Sequence, residues 1–259
     1  MDLSLSGKTA LITGSYRGTG AGIASCLAEE GAKVFVHGFN PGDSTTVSEQ
    51  INTQGGVAES VDADLFAEDG ISQLRNAIPD VDILINNYGK PSGSSWASSE
   101  SWSDEWERNV LIGIKVTQLF LDGMKERNWG RIVFVGTVGV NKPSTHSPGY
   151  YGAKASLHAI VRTLAKEVSG TGVTSNVVNP GMIATSEVRE MLTRAAAKRN
   201  LATDWENVQN WAAEKYMPNL TGRLPTPEDI GRIISFLVSE PAWYINGASI
   251  AVDGGSVDA

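Results

Sequence analysis

The sequence predicts an α/β fold, a single domain on a doubly wound parallel β-sheet of about seven strands with helices on both faces. Three observations carry this. Short apolar runs alternate with stretches of helical spacing along the whole chain. Those runs are almost continuously apolar, as strands covered on both faces are, and do not alternate with polar residues. The first run, Ala10-Leu11-Ile12, enters the glycine-rich stretch Thr13-Gly14-Ser15-Tyr16-Arg17-Gly18-Thr19-Gly20, and a helix with apolar Ile23, Ala24, Leu27 and Ala28 follows and ends at Gly31.

Each later element repeats that unit. Lys33-Val34-Phe35-Val36-His37 reads as the second strand, with His37 a packed strand residue. A polar helix spans about 44–53, a third strand 57–61 and a helix about 68–77. Val81-Asp82-Ile83-Leu84-Ile85 is the fourth strand and ends in Asn86-Asn87-Tyr88-Gly89. After a Ser- and Gly-rich loop, one long helix is predicted over about 101–127, with Trp102 and Trp106 on one face. The fifth strand, 131–137, ends on the hydroxyl of Thr137, and Tyr150 opens a helix to about residue 168. A sixth strand, 173–178, runs into Asn179-Pro180-Gly181-Met182-Ile183-Ala184-Thr185. Residues 186–220 are amphipathic and aromatic, which no sheet unit needs; they read as a substrate lid, with a subunit-contact helix pair as the alternative. Thr226-Pro227 starts a capped helix to about 238, and Ser249-Ile250-Ala251-Val252 is the last strand.

Composition bounds the function. At 259 residues with 41% hydrophobic and 19% charged residues, the chain can bury a large core as one domain, 1–259. The net charge of −8 and scattered Lys and Arg exclude nucleic acid as the main partner. The sequence has no signal-peptide pattern and no apolar run approaching the ~18 residues of a membrane span, so a cytoplasmic protein is expected. Cys26, the one cysteine, lies on the apolar face of the first helix and reads as core packing. No His and Cys cluster points to a metal.

The chemistry begins at the glycine loop. Its first glycine, Gly14, permits the tight turn; Gly18 lets the backbone approach a pyrophosphate; Gly20 lets the helix pack on its strand. Phosphates then lie at the helix N-terminus. Where a dinucleotide ribose would meet the second strand, the chain runs Gly38-Phe39-Asn40 with no acid to hold a 2′-hydroxyl, and Arg17 stands nearby to face a 2′-phosphate, which favours NADP(H) over NAD(H). Tyr150 and Lys154, spaced i and i+4, share one helix face directed at the carboxyl ends of the strands, where such sheets bind ligands.

Together these stretches resemble the short-chain dehydrogenase/reductase family, a Rossmann-fold family, over nearly the whole chain from about Ser6 to Gly255. The family's glycine loop corresponds to Thr13 to Gly20, its adenine-contacting Asp and apolar residue to Asp64-Leu65, and its Asn-Asn-Ala-Gly to Asn86-Asn87-Tyr88-Gly89. Asn109, Tyr150 and Lys154 match its helix asparagine and its Tyr-x-x-x-Lys, and Pro180, Gly181, Ile183 and Thr185 match its nicotinamide-contacting segment. The resemblance implies cofactor contacts from Gly14, Ser15, Tyr16, Arg17, Gly18, Thr19 and Gly20, from Gly38 and Phe39, from Asp64 and Leu65, and from Asn87, Tyr88 and Gly89. It implies catalysis by Asn109, Thr137, Tyr150 and Lys154, with the last two also holding cofactor. Arg17 is similar to the loop arginine of NADPH-using reductases such as 3-oxoacyl-[acyl-carrier-protein] reductases. Three departures stand out: Thr137 replaces the usual serine, Tyr88 a small alanine and Phe39 a second arginine. The implied function is hydride transfer between NADP(H) and a small carbonyl or secondary-alcohol substrate, with Tyr150, its phenol lowered by Lys154, as acid and base. A non-catalytic NADP(H)-binding sensor or scaffold of the same fold is the alternative. A homodimer or homotetramer through the two long helices is implied as well.

Overall fold

A computed structural model describes residues 2–256. Seven strands form one parallel sheet: β1 (Thr9–Ile12), β2 (Lys33–Gly38), β3 (Val57–Asp62), β4 (Ile83–Asn86), β5 (Gly130–Val135), β6 (Val173–Pro180) and β7 (Ser249–Val252). Their order is β3-β2-β1-β4-β5-β6-β7. The chain starts in the middle, builds outward to β3, then returns beside β1 with β4. That reversal opens a crevice at the carboxyl ends of β1 and β4, where Ile12 pairs with Ile85.

Alternation along the central strands supplies two cores. Ile12, Val34, Val36, Ile83 and Ile85 face one way, against Ile23 and Leu27 of α1 (Gly18–Glu29) and Ile230 and Ile234 of α9 (Pro227–Leu237). Leu11, Phe35 and Leu84 face the other, against Leu74 of α3 (Gly70–Ala77), Val116 and Phe120 of α5 (Ile112–Glu126) and Leu157 and Val161 of α6 (Pro148–Glu167). The helix α2 (Thr45–Thr53) covers the β2–β3 edge. The first pair of helices packs backbone to backbone. A Cβ on Gly231 would lie 2.7 Å from both Cys26 Sγ and the Gly22 carbonyl. Cys26 is therefore core, as expected, and burial pushes its thiol up to about 11.

One region differs from the sequence reading. The long helix expected over 101–127 is α4 (Ser99–Trp106), a π turn at Glu107–Leu111, and α5. The side chain of Asn109 explains the interruption: its amide donates to the Glu105 carbonyl, four residues back, the acceptor a helical backbone N–H would otherwise take. Residues 186–220 form α7 (Ser186–Ala197), α8 (Trp205–Trp211) and a second π turn at Ala212–Tyr216. They pack on a small core of their own, built on Leu192, Ala196, Val208, Ala212 and Leu224. The start of α9 is as predicted, with Pro227 in its first turn and a reciprocal cap between Thr226 and Asp229. Among the described residues, no helix is long and apolar enough to cross a membrane.

Candidate active site

The loop between β1 and α1 takes the shape the glycines permit. Gly14 and Gly18 have φ of +64° and +56°, a region that side chains disfavour. Arg17 is the N-cap of α1 and its side chain does not cap the helix, so the first N–H groups have no acceptor from the cap residue and suit an anion. Buried polar groups brace the loop from beneath. Ser15 donates to the Ile12 carbonyl at 2.7 Å and accepts from the His37 N–H at 2.9 Å. The Gly14 N–H donates to His37 Nδ1 at 3.0 Å, which leaves the proton on Nε2, 3.1 Å from the Ala63 carbonyl. Burial pushes His37 down to about 4, so the ring is neutral in the folded protein. Sequence reading saw only a packed residue there; its tie to the loop joins positions 23 apart and leaves no local pattern.

A groove runs over this loop. Its walls include Gly14, Tyr16, Arg17, Gly18, Thr19 and Gly20 from the loop and Asn87, Tyr88 and Gly89 from the end of β4. Across from them stand Thr137, Tyr150 and Lys154, with Pro180, Gly181, Ile183 and Thr185 from the end of β6. Five expected cofactor residues lie outside these walls. The Ser15 side chain is turned inward as a brace, and Leu65 is 1% exposed within the second core. Gly38 is closed off by Asp43 and Asp62, either of which a Cβ there would strike. Asp64 accepts from the Phe66 N–H. Phe39 stacks with Phe66, their ring centres 5.8 Å apart, and meets Tyr88 at 4.5 Å. That contact accommodates the ring of Tyr88, which leans on Phe39 and over Gly14. Arg17, expected to stand free for a phosphate, instead pairs with Glu187 of α7 at 2.8 Å.

Three of the four expected catalytic residues, Thr137, Tyr150 and Lys154, line the groove, and Asn109 lies behind Lys154. Tyr150 lies in the first turn of α6, and burial, with Tyr151 and Glu105 nearby, pushes its phenol up to about 12. The sequence reading had Lys154 lowering it; in the protein by itself desolvation dominates. Lys154 is 3% exposed, donates to the Val135 carbonyl at 2.7 Å, and is pushed down by burial to about 8. Thr137 Oγ1 accepts from the Gly139 N–H at 3.1 Å, which orients the hydroxyl and leaves its hydrogen for another acceptor. Asn109 lies behind Lys154 in the π turn, and its Oδ1 is buried without a partner. A Cβ on Gly89 would lie 2.5 Å from Lys154 Nζ and 2.7 Å from Asn109 Oδ1, so both atoms face one point that only glycine leaves open.

Beside the groove is a cavity of about 410 Å³. Thr137, Tyr150, Gly181 and Met182 line both spaces. Its other walls are largely apolar, with Val138, Leu224 and Pro225, and Met217, Pro218 and Asn219 come from the end of the 186–220 segment. Tyr151 and Asp253 add polar groups.

Comparison with known proteins shows the family and the fold. The chain is 36% identical to an uncharacterised oxidoreductase of Bacillus subtilis (strain 168), over 99% of this chain and 98% of that one. It is 33% identical to the 3-oxoacyl-[acyl-carrier-protein] reductase of Haemophilus influenzae (strain ATCC 51907 / DSM 11121 / KW20 / Rd), over 97% and 98%. Among solved structures it is similar to L-sorbose reductase from Gluconobacter frateurii, complexed with NADPH and L-sorbose, with a TM-score of 0.89 at 28% identity and full coverage of both chains. The family model for short chain dehydrogenases matches residues 8–196, a span that holds the glycine loop, Asn109, Thr137, Tyr150 and Lys154, and the chain therefore belongs to that family of oxidoreductases.

Proposed function

We propose that the chain transfers a hydride between NADP(H) and a small carbonyl or secondary-alcohol substrate, with Tyr150 as the general acid and base. The carrying observation is that Thr137 and Tyr150, with Gly181 and Met182, line both the groove over the glycine loop and the 410 Å³ cavity. The residues present fit the cofactor. The uncapped N-terminus of α1 suits a pyrophosphate, and the open point over Gly89, faced by Lys154 and Asn109, suits polar groups of a ribose or a water. When bound, a reduced nicotinamide supplies the hydride.

The side chains account for the proton. Negative charge develops on the carbonyl oxygen as it is reduced, and the Tyr150 phenol, protonated at neutral pH, delivers a proton there. The Thr137 O–H donates a second hydrogen bond to the same oxygen. Lys154, a buried ammonium at neutral pH, favours the phenolate that remains and lies on the route by which the proton is replaced. Asn109 continues that route behind Lys154.

For the cofactor, the balance at Arg17 decides. Its present bridge to Glu187 is half-exposed and worth about 0–1 kcal/mol, whereas a charge-assisted bond to a phosphate is worth about 1.5–3 kcal/mol. Exchanging one for the other leaves NADPH ahead of NADH by roughly tenfold. The test is a panel of small ketones and hydroxyketones assayed by loss of reduced-cofactor absorbance, with NADPH and NADH in parallel. Turnover with NADPH favoured is the expected result. Binding of NADPH without oxidation by any carbonyl would instead establish the sensor reading, and equal efficiency with NADH would place Arg17 permanently on Glu187.

A further inference from the structure

Behind the four catalytic side chains lies a carboxylate that none of the chemistry above uses. Glu105, in the last turns of α4, is 0% exposed. Among the described residues no ion pair involves it. Its oxygens meet N–H groups instead. Oε1 accepts from the Ser92 N–H at 2.8 Å and the Ser94 N–H at 3.5 Å, and Oε2 accepts from Asn109 Nδ2 at 3.0 Å. Burying a carboxylate without a cation is costly, and backbone and amide donors only partly offset that cost.

We infer that Glu105 is a positioning residue, which fixes the side-chain amide of Asn109 with its oxygen toward Lys154, and so rests on the carbonyl-reductase reading of this site. An ionised carboxylate can only accept. The atom of Asn109 facing it must therefore be the NH2, and Oδ1 must take the opposite direction, toward the point over Gly89 that Lys154 Nζ also faces. The carbonyls of Glu105 and Lys90, at 3.0 and 3.2 Å from the same nitrogen, support that orientation, but the charged acceptor is the stronger one. A flipped amide would turn a donor toward the Lys154 ammonium and remove the acceptor behind it.

The carboxylate also does what an amide cannot. It presents acceptors on two sides, one to the 92–94 loop and one to Asn109. In Glu105→Gln, a single acceptor oxygen must choose: turned to the loop, it sets NH2 against NH2 at Asn109; turned to Asn109, it sets NH2 against the Ser92 N–H. Two backbone N–H groups, of Ser92 and Ser94, stand on the loop side against one side-chain amide on the other, so the oxygen turns to the loop and the Asn109 amide loses its charged acceptor.

The first test needs no substrate. In 15N-labelled apo-protein, the side-chain NH2 resonances of Asn109 are assigned by their absence in Asn109→Ala, and their hydrogen exchange is compared in wild type and Glu105→Gln. Exchange faster by roughly tenfold in the variant is expected, since a buried bond to a charged acceptor is lost. Unchanged exchange overturns the inference whether or not any carbonyl is reduced. The second test is a kinetic double-mutant cycle. Glu105→Gln should lower kcat by roughly tenfold or more, with KM and NADPH Kd within about twofold, and should have no further effect in the Asn109→Ala background. An equal loss in both backgrounds means that Glu105 only supports the fold, and overturns the positioning role. Should Glu105→Gln not fold, Glu105→Met, unbranched and of similar length without the buried charge, takes its place in both tests. Failure of the wild type to reduce any carbonyl would sink the reductase reading, and the exchange result would still decide the orientation.

Discussion

At the scale of single residues, the proposed chemistry turns on two hydroxyl groups, those of Thr137 and Tyr150. Thr137 stands where the family usually has serine. Its Oγ1 already accepts the Gly139 N–H, so one lone pair is occupied by the short turn that follows and the hydrogen points elsewhere. The methyl group restricts χ1 without removing the donor. Thr137→Ser is therefore expected to retain activity, whereas Thr137→Val, nearly the same shape, should lose about 10²–10³ in kcat through one missing donor to the developing oxyanion. Tyr150→Phe should lose about 10²–10⁴ by removing the acid. NADPH Kd, followed by fluorescence, should change little in either. Wild-type turnover in both Thr137→Val and Tyr150→Phe would place the chemistry elsewhere. The placement of Thr137 and Tyr150 at one groove was legible from their positions at a strand end and a helix start. Protonation at the site was not, because the desolvation that pushes Tyr150 up and Lys154 down comes from elements packed around them and not from neighbours in sequence.

At the scale of elements, the strands and the glycine turn were legible because each is written locally: an apolar run of the right length, then glycines where φ must be positive. The π turn in the predicted long helix was not, since helical periodicity passes through it almost unchanged, and what marks it is the back-bond of Asn109 to Glu105. The 186–220 segment was legible as extra to the sheet and reads as a lid, but how it is attached to the groove was not legible. The attachment is at its root. Thr185, in the groove wall, caps α7 by accepting the Val188 N–H, and Glu187 in the first turn reaches Arg17 across the groove. Its far end supplies Met217, Pro218 and Asn219 to the cavity. With only a small core beneath it, this segment should open at lower free energy than the sheet. We expect hydrogen exchange over 186–220 to slow when NADPH and a carbonyl ligand are added. Slowing confined to the start of α1, with 186–220 unchanged, would favour the subunit-contact reading over the lid.

At the scale of the whole molecule, the cost of burying His37 adds a distinct component to how stability responds to acid. Its ordinary value is 6.5 and its folded value about 4, lowered chiefly by desolvation. Below the ordinary value the unfolded chain takes up a proton that the native ring refuses, so stability is lost as pH falls through the window from 6.5 towards 4. Above it, both states are neutral at this position and nothing changes. Each unit of pH within the window removes about 1.4 kcal/mol. The ring cannot take the proton and keep the native network, because Nδ1 is the acceptor for the Gly14 N–H at the start of the glycine loop. Other groups titrate in the same range, and the net charge of −8 lessens on acidification, but these contributions are common to the wild type and to His37→Gln. Chemical denaturation of both at about pH 7.5 and about pH 5.5, above the isoelectric point near 5.0, isolates the histidine. The wild type should lose about 1.4 kcal/mol more than the variant over that interval. Parallel losses would show that His37 is not held neutral, and that the Gly14 N–H is not paired as the structure has it.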